Sequence, residues 1–230
     1  MVLSPEDVPL GDVLWLPCFR AISSHVSPST LFERVADPHE LDVILELEAL
    51  TDDRARDERE RLSLVPPEDR VTGPGSGFVM GAFMHFPPHP SRFRDTTFGA
   101  YYAARERETA IAETAYHRAR FLSLTAEAPI EVGMQMLVAD LDAVLHDVRG
   151  RAAEWPALYD TADYTASMHL GRALRDQRSW GIAYDSVRNS GGECVAVLRP
   201  PALSGCRRAE LLTYVWDGAR IADVRERAGP

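Results

Sequence analysis

From Phe98 onward the chain switches back and forth between extended and helical apolar patterns, and the order of the switches narrows the fold class. Phe98 to about Ala104, FGAYYAA, reads as a strand. A helix follows from about Arg107 to Leu122, then a weakly alternating strand over IEVGMQMLVADL. A second helix runs from about Asp163 to Arg178, with Asp163 as a candidate N-cap. GIAYDSV and ECVAVLRP have the length and apolar content of short strands, joined through a Gly-Gly turn. ELLTYVWDGARIADV reads as a hairpin turning at Asp217-Gly218. Strands and helices mix without strict β-α-β alternation. This predicts an α+β (mixed α/β) fold rather than a doubly wound sheet.

The first part of the chain is less regular. Residues 1–17 read as an irregular lead-in, and LPCFRAIS around Arg20 as a short strand. Asp37, Pro38 and Glu40 have the spacing of an N-cap, a proline at N1 and a capping-box acid. The helix they open carries Leu41, Ile44, Leu45 and Leu47. TDDRARDERERL is charged on most sides and reads as a solvated helix. VPPEDRVTGPGSG and PPHPSRFRD read as loops. FVMGAFMHF between them is a buried segment whose periodicity does not decide its type. A length of 230 residues accommodates one domain, 18–230, with a helical insertion at about 35–85.

Composition excludes several function classes. The net charge of -10 and pI near 5.2 argue against nucleic acid as a direct partner, because phosphate binding needs a basic surface. No apolar run approaches the roughly 18–20 residues needed to span a bilayer. The acidic N-terminus is not a secretory signal. Cys18, Cys194 and Cys206 are widely spaced, as expected of reduced, buried thiols in a soluble cytoplasmic protein. All 25 basic residues are arginine. With no lysine, the chain forms no Schiff base and has no phosphate-loop lysine.

Several motifs fail on context. The glycines of GPGSG do not lie between a strand and a helix in the dinucleotide-binding pattern. No serine occupies a G-x-S-x-G elbow. His85 and His89 are separated by Pro87 and Pro88, which rule out a shared helix face. Glu113 and His117 stand at i and i+4, a metal-compatible spacing that is common by chance. On a helical wheel, Ile111, Ala115, Ala119 and Leu122 form the core stripe, and Glu113 points away from it, flanked by Thr109 and Tyr116. Taken alone, Glu113 is a solvated acid, Arg20 a surface arginine and Ser186 a turn hydroxyl. Tyr102, alternating with Ala100 and Ala104, is on the same footing a core tyrosine, and Tyr101 faces the other way.

The ordered set SRFR, GAYYAARERETAIAET and GIAYDSVRNSGG resembles the RES domain family, the toxins of Xre–RES toxin–antitoxin systems. Arg92 stands ten residues before Tyr102, and Tyr102 eleven before Glu113, with Thr109-Ala110 preceding the acid. Gly181, Ile182, Tyr184, Ser186 and Arg188 match the family's serine context, and Phe19-Arg20 its early aromatic–arginine pair. The resemblance spans roughly residues 18–200. Two features depart from it. Many members carry Arg-Trp-Asn where this chain has Arg92-Phe93-Arg94, and the insertion before Arg92 is longer than in compact members.

The resemblance implies an ADP-ribosyltransferase-like core, a twisted and mostly antiparallel sheet flanked by helices. It implies NAD as substrate, with no metal. Breaking the bond between nicotinamide and ribose builds positive charge on the sugar, and a carboxylate stabilises that charge. The implied roles are Glu113 for that carboxylate, Arg20 and Arg92 for the pyrophosphate, and Tyr102 for stacking. Ser186 is implied for a ribose hydroxyl or phosphate, with Arg188 supporting it or ion-pairing with Asp185. The ADP-ribosyl group passes to phosphate or water. The longer insertion keeps open an alternative, ADP-ribosyl transfer to a cellular protein, and a catalytically inactive binding partner is a third reading. The family also implies a cognate Xre-type antitoxin with a helix-turn-helix domain that covers the active site.

Overall fold

The computed structural model describes residues 3–27, 29–35, 40–48 and 53–227. Among the described residues, seven strands and six α-helices follow in the order β1 (Leu10–Ser23), α1 (Leu31–Arg34), α2 (Glu40–Glu48), α3 (Asp53–Leu62), α4 (Ser76–Met84), β2 (Tyr101–Ala104), α5 (Arg107–Leu124), β3 (Ile130–Asp147), α6 (Thr165–Asp176), β4 (Gly181–Asp185), β5 (Glu193–Val197), β6 (Leu203–Trp216) and β7 (Ile221–Arg227). The sheet order is β1-β2-β5-β4-β3-β6-β7, and β1 also pairs with β3. Five strands therefore close on themselves, and β6 and β7 extend the sheet from β3. Only β3 and β4 run parallel; the other pairings are antiparallel. This is the mixed α/β architecture of a multi-stranded sheet flanked by helices.

The two short strands lie at the centre. Ala183, Val195 and Val197 face one core cluster, while Ile182, Tyr184, Cys194 and Ala196 face the other. Both faces are covered, so the sequence shows a continuous apolar run instead of alternation. The first cluster brings α1, α2 and α4 against β1, β2 and β3 through Phe32, Leu41, Leu45, Met80, Tyr101 and Leu137. The second gathers Phe93, Leu170, Leu174 and Tyr184 with the inner face of α5.

Several sequence expectations change. Strand β1 begins at Leu10, inside the stretch read as irregular. Its register shifts between Trp15 and Cys18, where Pro17 has no N–H to give to the ladder. FVMGAFMHF is helix α4 up to Met84: its apolar residues contact the sheet and neighbouring helices, which hides the helical period. Asp163 precedes Tyr164, the N-cap of α6, by one residue, and its carboxylate accepts from the Thr165 N–H at 2.8 Å. Asp37 and Pro38 lie outside the described residues. The hairpin at Asp217-Gly218 is present as β6–β7.

Candidate functional site

Strand β4 ends at Asp185, and the chain turns back to β5 through a tightly bonded loop. Ser186 donates its N–H to the Gly192 carbonyl at 2.8 Å, and Gly192 donates to the Asn189 carbonyl at 3.0 Å. The Ser186 hydroxyl oxygen accepts from the N–H groups of Arg188 (3.1 Å) and Asn189 (3.0 Å). With both lone-pair directions occupied, its one proton is directed outward. It goes to Oε1 of Glu113 at 2.6 Å, joining residues 73 apart in sequence. A hydroxyl–carboxylate bond of this length is charge-assisted. Ser186 is only 8% exposed.

Glu113 therefore faces the β4–β5 turn, not bulk water. Helix α5 is covered on two sides. Ile111 and Ala115 pack against the second core cluster, and Thr109, fully buried, lies under the turn. The Asn189 side-chain amide donates to the Thr109 hydroxyl at 2.8 Å. A Cβ on Gly192 would lie 2.3 Å from Thr109 Oγ1, so this approach requires glycine. The start of α5 is fixed to β6 and β7 by Arg107, which grips Glu210 bidentately at 2.6 and 2.9 Å and reaches Glu226 at 3.0 Å.

Tyr102 and Arg92 meet through the segment between them. The Tyr102 hydroxyl is 2.8 Å from Ser91 Oγ and accepts the Phe93 N–H at 3.2 Å. Burial pushes this phenol above its ordinary range. Phe93 packs edge-to-face on Tyr184 at 4.9 Å, and Gly171 lets α6 press directly on the Phe93 backbone. Arg92, 7% exposed, donates to the Leu158 carbonyl at 2.5 Å and lies 4.9 Å from the Tyr164 ring centre. Tyr184 is the hub. Burial pushes its phenol well above the usual range, and it lies within electrostatic reach of Glu113, Tyr102 and Arg92.

Arg188 does not pair with Asp185. Its guanidinium sits 3.4 Å over the Tyr116 ring and donates to the Thr161 carbonyl at 2.7 Å. Asp185 accepts from the Gly150 N–H at 2.7 Å instead. His117 lies at the exposed edge of this group, within electrostatic reach of three guanidinium groups. Desolvation by surrounding protein, then Arg188, Arg120 and Arg92, pushes its imidazole down to about 4.

Arg20 is set apart from this group. It lies over the Tyr101 ring at 4.6 Å, on the face with Cys18 and Cys206, and touches Tyr102 only through the backbone carbonyl at 2.8 Å. Arg94, at the position that departs from the family pattern, is 3% exposed. It ties down the preceding loop through the carbonyls of Pro87 (3.2 Å) and His89 (2.5 Å). Thr109 and Tyr116 were placed beside Glu113 by the sequence but given no role, and Tyr164 was not singled out. Among the described residues, no three His, Cys, Asp or Glu side chains are grouped to hold a metal, and no helix is long and apolar enough to cross a membrane. A cavity of about 10 Å³ near Asp69, Phe83 and Leu198 shares no lining residue with this cluster.

The ordered segments that build this cluster fall within a known family pattern. The RES domain matches residues 67–217, about two thirds of the chain, and the chain belongs to the RES domain family. It is 27% identical over 206 residues to the uncharacterized protein y4oC of Sinorhizobium fredii (strain NBRC 101917 / NGR234), covering 89% of this chain and 84% of that one. Among solved structures it overlaps a chain of the M.tuberculosis MbcT-MbcA toxin-antitoxin complex. The TM-score is 0.41 at 13% identity, over 88% of this chain and 85% of that one. An overlap that loose carries no functional weight.

Proposed function

We propose that this chain is an NAD-consuming enzyme that breaks the nicotinamide–ribose bond and passes the ADP-ribosyl group to phosphate or water. In this reading it is the toxin of a toxin–antitoxin pair. The observation that carries the chemistry is the 2.6 Å bond from the Ser186 hydroxyl to Glu113. A rigid turn fixes one carboxylate oxygen and leaves the other available to a ligand.

As the bond between ribose C1′ and the pyridinium nitrogen lengthens, its electron pair leaves on nicotinamide, which becomes neutral. Positive charge grows on C1′ and the ring oxygen of the sugar. The Glu113 carboxylate, held in place before substrate arrives, stabilises that charge without reorganising. Water or phosphate then bonds to C1′, and with water a proton is released to solvent. Ser186 acts through Glu113, as a positioning residue. Arg92 and Arg188 supply charge for the pyrophosphate, and Tyr102, in this reading, lines the nicotinamide end. Family membership supports an antitoxin partner with a helix-turn-helix domain.

The test is to incubate purified protein with NAD, with and without phosphate, and identify products by mass spectrometry. Free nicotinamide together with ADP-ribose, or its 1″-phosphate when phosphate is present, is expected. No nicotinamide from protein freed of any antitoxin would overturn the reading. A labelled protein band from lysate, with no free ADP-ribose, would favour a transferase acting on protein.

A further inference from the structure

Two arginines at the site, like Arg20 and Arg94 beside it, are held by backbone carbonyls and an aromatic ring. Arg92 and Arg188 each donate to a carbonyl of one loop, at Leu158 (2.5 Å) and Thr161 (2.7 Å). Each also lies over a tyrosine, Tyr164 at 4.9 Å and Tyr116 at 3.4 Å. Among the described residues, neither makes an ion pair with a carboxylate, although the chain carries 35 acidic residues and net charge -10. Elsewhere Arg107, Arg149, Arg178 and Arg199 all grip carboxylates. Pairing with Asp or Glu would consume both the charge and the planar donor fork. A ring face contacts only the flat side of the guanidinium. It orients the group while the in-plane N–H donors and the full charge stay available.

We propose that Tyr116 and Tyr164 are positioning residues that hold Arg188 and Arg92 as an un-neutralised pair for the diphosphate of the ligand. This rests on the NAD reading above and adds to it how the two arginines are kept ready. The charges of Arg188, Arg120 and Arg92 all act on His117, in keeping with guanidinium groups gathered on this side of the site.

The test uses ADP, which carries the diphosphate and lacks nicotinamide, with calorimetry on the full chain. Tyr116→Leu and Tyr164→Leu keep apolar bulk and remove the π face; Tyr116→Phe and Tyr164→Phe keep it. Each Leu variant should bind ADP about tenfold more weakly than wild type, and each Phe variant should match wild type. In nicotinamide release, the Leu variants should raise KM by a similar factor with kcat within about twofold. The proposal is overturned if the Leu variants bind ADP as wild type does, if the Phe variants lose as much as the Leu variants, or if wild type does not bind ADP. Tyrosine-dependent ADP binding with no nicotinamide release would sustain this proposal and remove the NAD-cleavage reading.

Discussion

Gly192→Ala is the most informative single change, because it acts on Glu113 without touching it. Gly192 has no left-handed backbone requirement, so only space is at issue. An added Cβ would meet Thr109 Oγ1 at 2.3 Å, Thr109 Cγ2 at 2.8 Å and the Asn189 amide nitrogen at 3.0 Å. Thr109 is fully buried and cannot swing away, so the turn has to move. Overpacking of this kind costs about 1–3 kcal/mol. For a chain of this size each kcal/mol lowers Tm by about 2–4 °C, so a fall of about 2–12 °C is expected. The same displacement moves the Gly192 carbonyl that holds Ser186, and with it the bond to Glu113. A hydrogen bond to a charged group contributes about 1.5–3 kcal/mol, so nicotinamide release should slow by about ten- to a hundredfold. Gly81→Ala is the control: nothing lies within 4 Å of its added Cβ, and in helix α4 it should stabilise by about 0.5–1 kcal/mol. Calorimetric melting and a nicotinamide assay read both outcomes. A Gly192→Ala protein with the Tm and rate of wild type would refute the packing argument.

Two further outcomes concern stability. Desolvation and the charges of Arg188, Arg120 and Arg92 push His117 in the folded protein from its ordinary 6.5 down to about 4. The unfolded chain therefore binds more protons between those values, and stability falls as pH drops through that window. His117→Gln should flatten Tm against pH between pH 6.5 and 4; an unchanged slope would contradict this. Gln135 is 3% exposed and its amide nitrogen has no hydrogen-bond partner among the described residues. Gln135→Leu should leave stability unchanged or raise it by about 1 kcal/mol in urea unfolding. A loss of more than about 2 kcal/mol would show that the amide is paired in solution.

The sequence and the structure agree where local signals dominate. The helix after Tyr102 follows from periodicity, the two central strands from short apolar runs and the Gly-Gly turn between them, and the Asp217-Gly218 hairpin from turn chemistry. What failed locally has a common cause in tertiary contact. Helix α4 could not be typed because its apolar residues pack on more than one side. Glu113 read as solvated because the wheel sees only the sheet beneath α5, not the β4–β5 turn above it. The ordered Arg92, Tyr102, Glu113 and Ser186 pattern corrected that reading, as no periodicity could. The stacking of Arg188 on Tyr116 was illegible, since nothing in the spacing says that the turn folds back over α5. The Asp185–Arg188 pair, close in sequence, does not form: Asp185 accepts from the Gly150 N–H, and the Arg188 guanidinium turns to Tyr116 and the Thr161 carbonyl.

The most direct test of the account compares nicotinamide release by wild type, Glu113→Gln and Ser186→Ala under single-turnover conditions. Wild type should release nicotinamide, and Glu113→Gln should be slower by about a hundredfold or more, because its side chain carries no charge to meet the sugar cation. Ser186→Ala should fall between them. Glu113→Gln releasing nicotinamide as fast as wild type would contradict the central role given to this carboxylate.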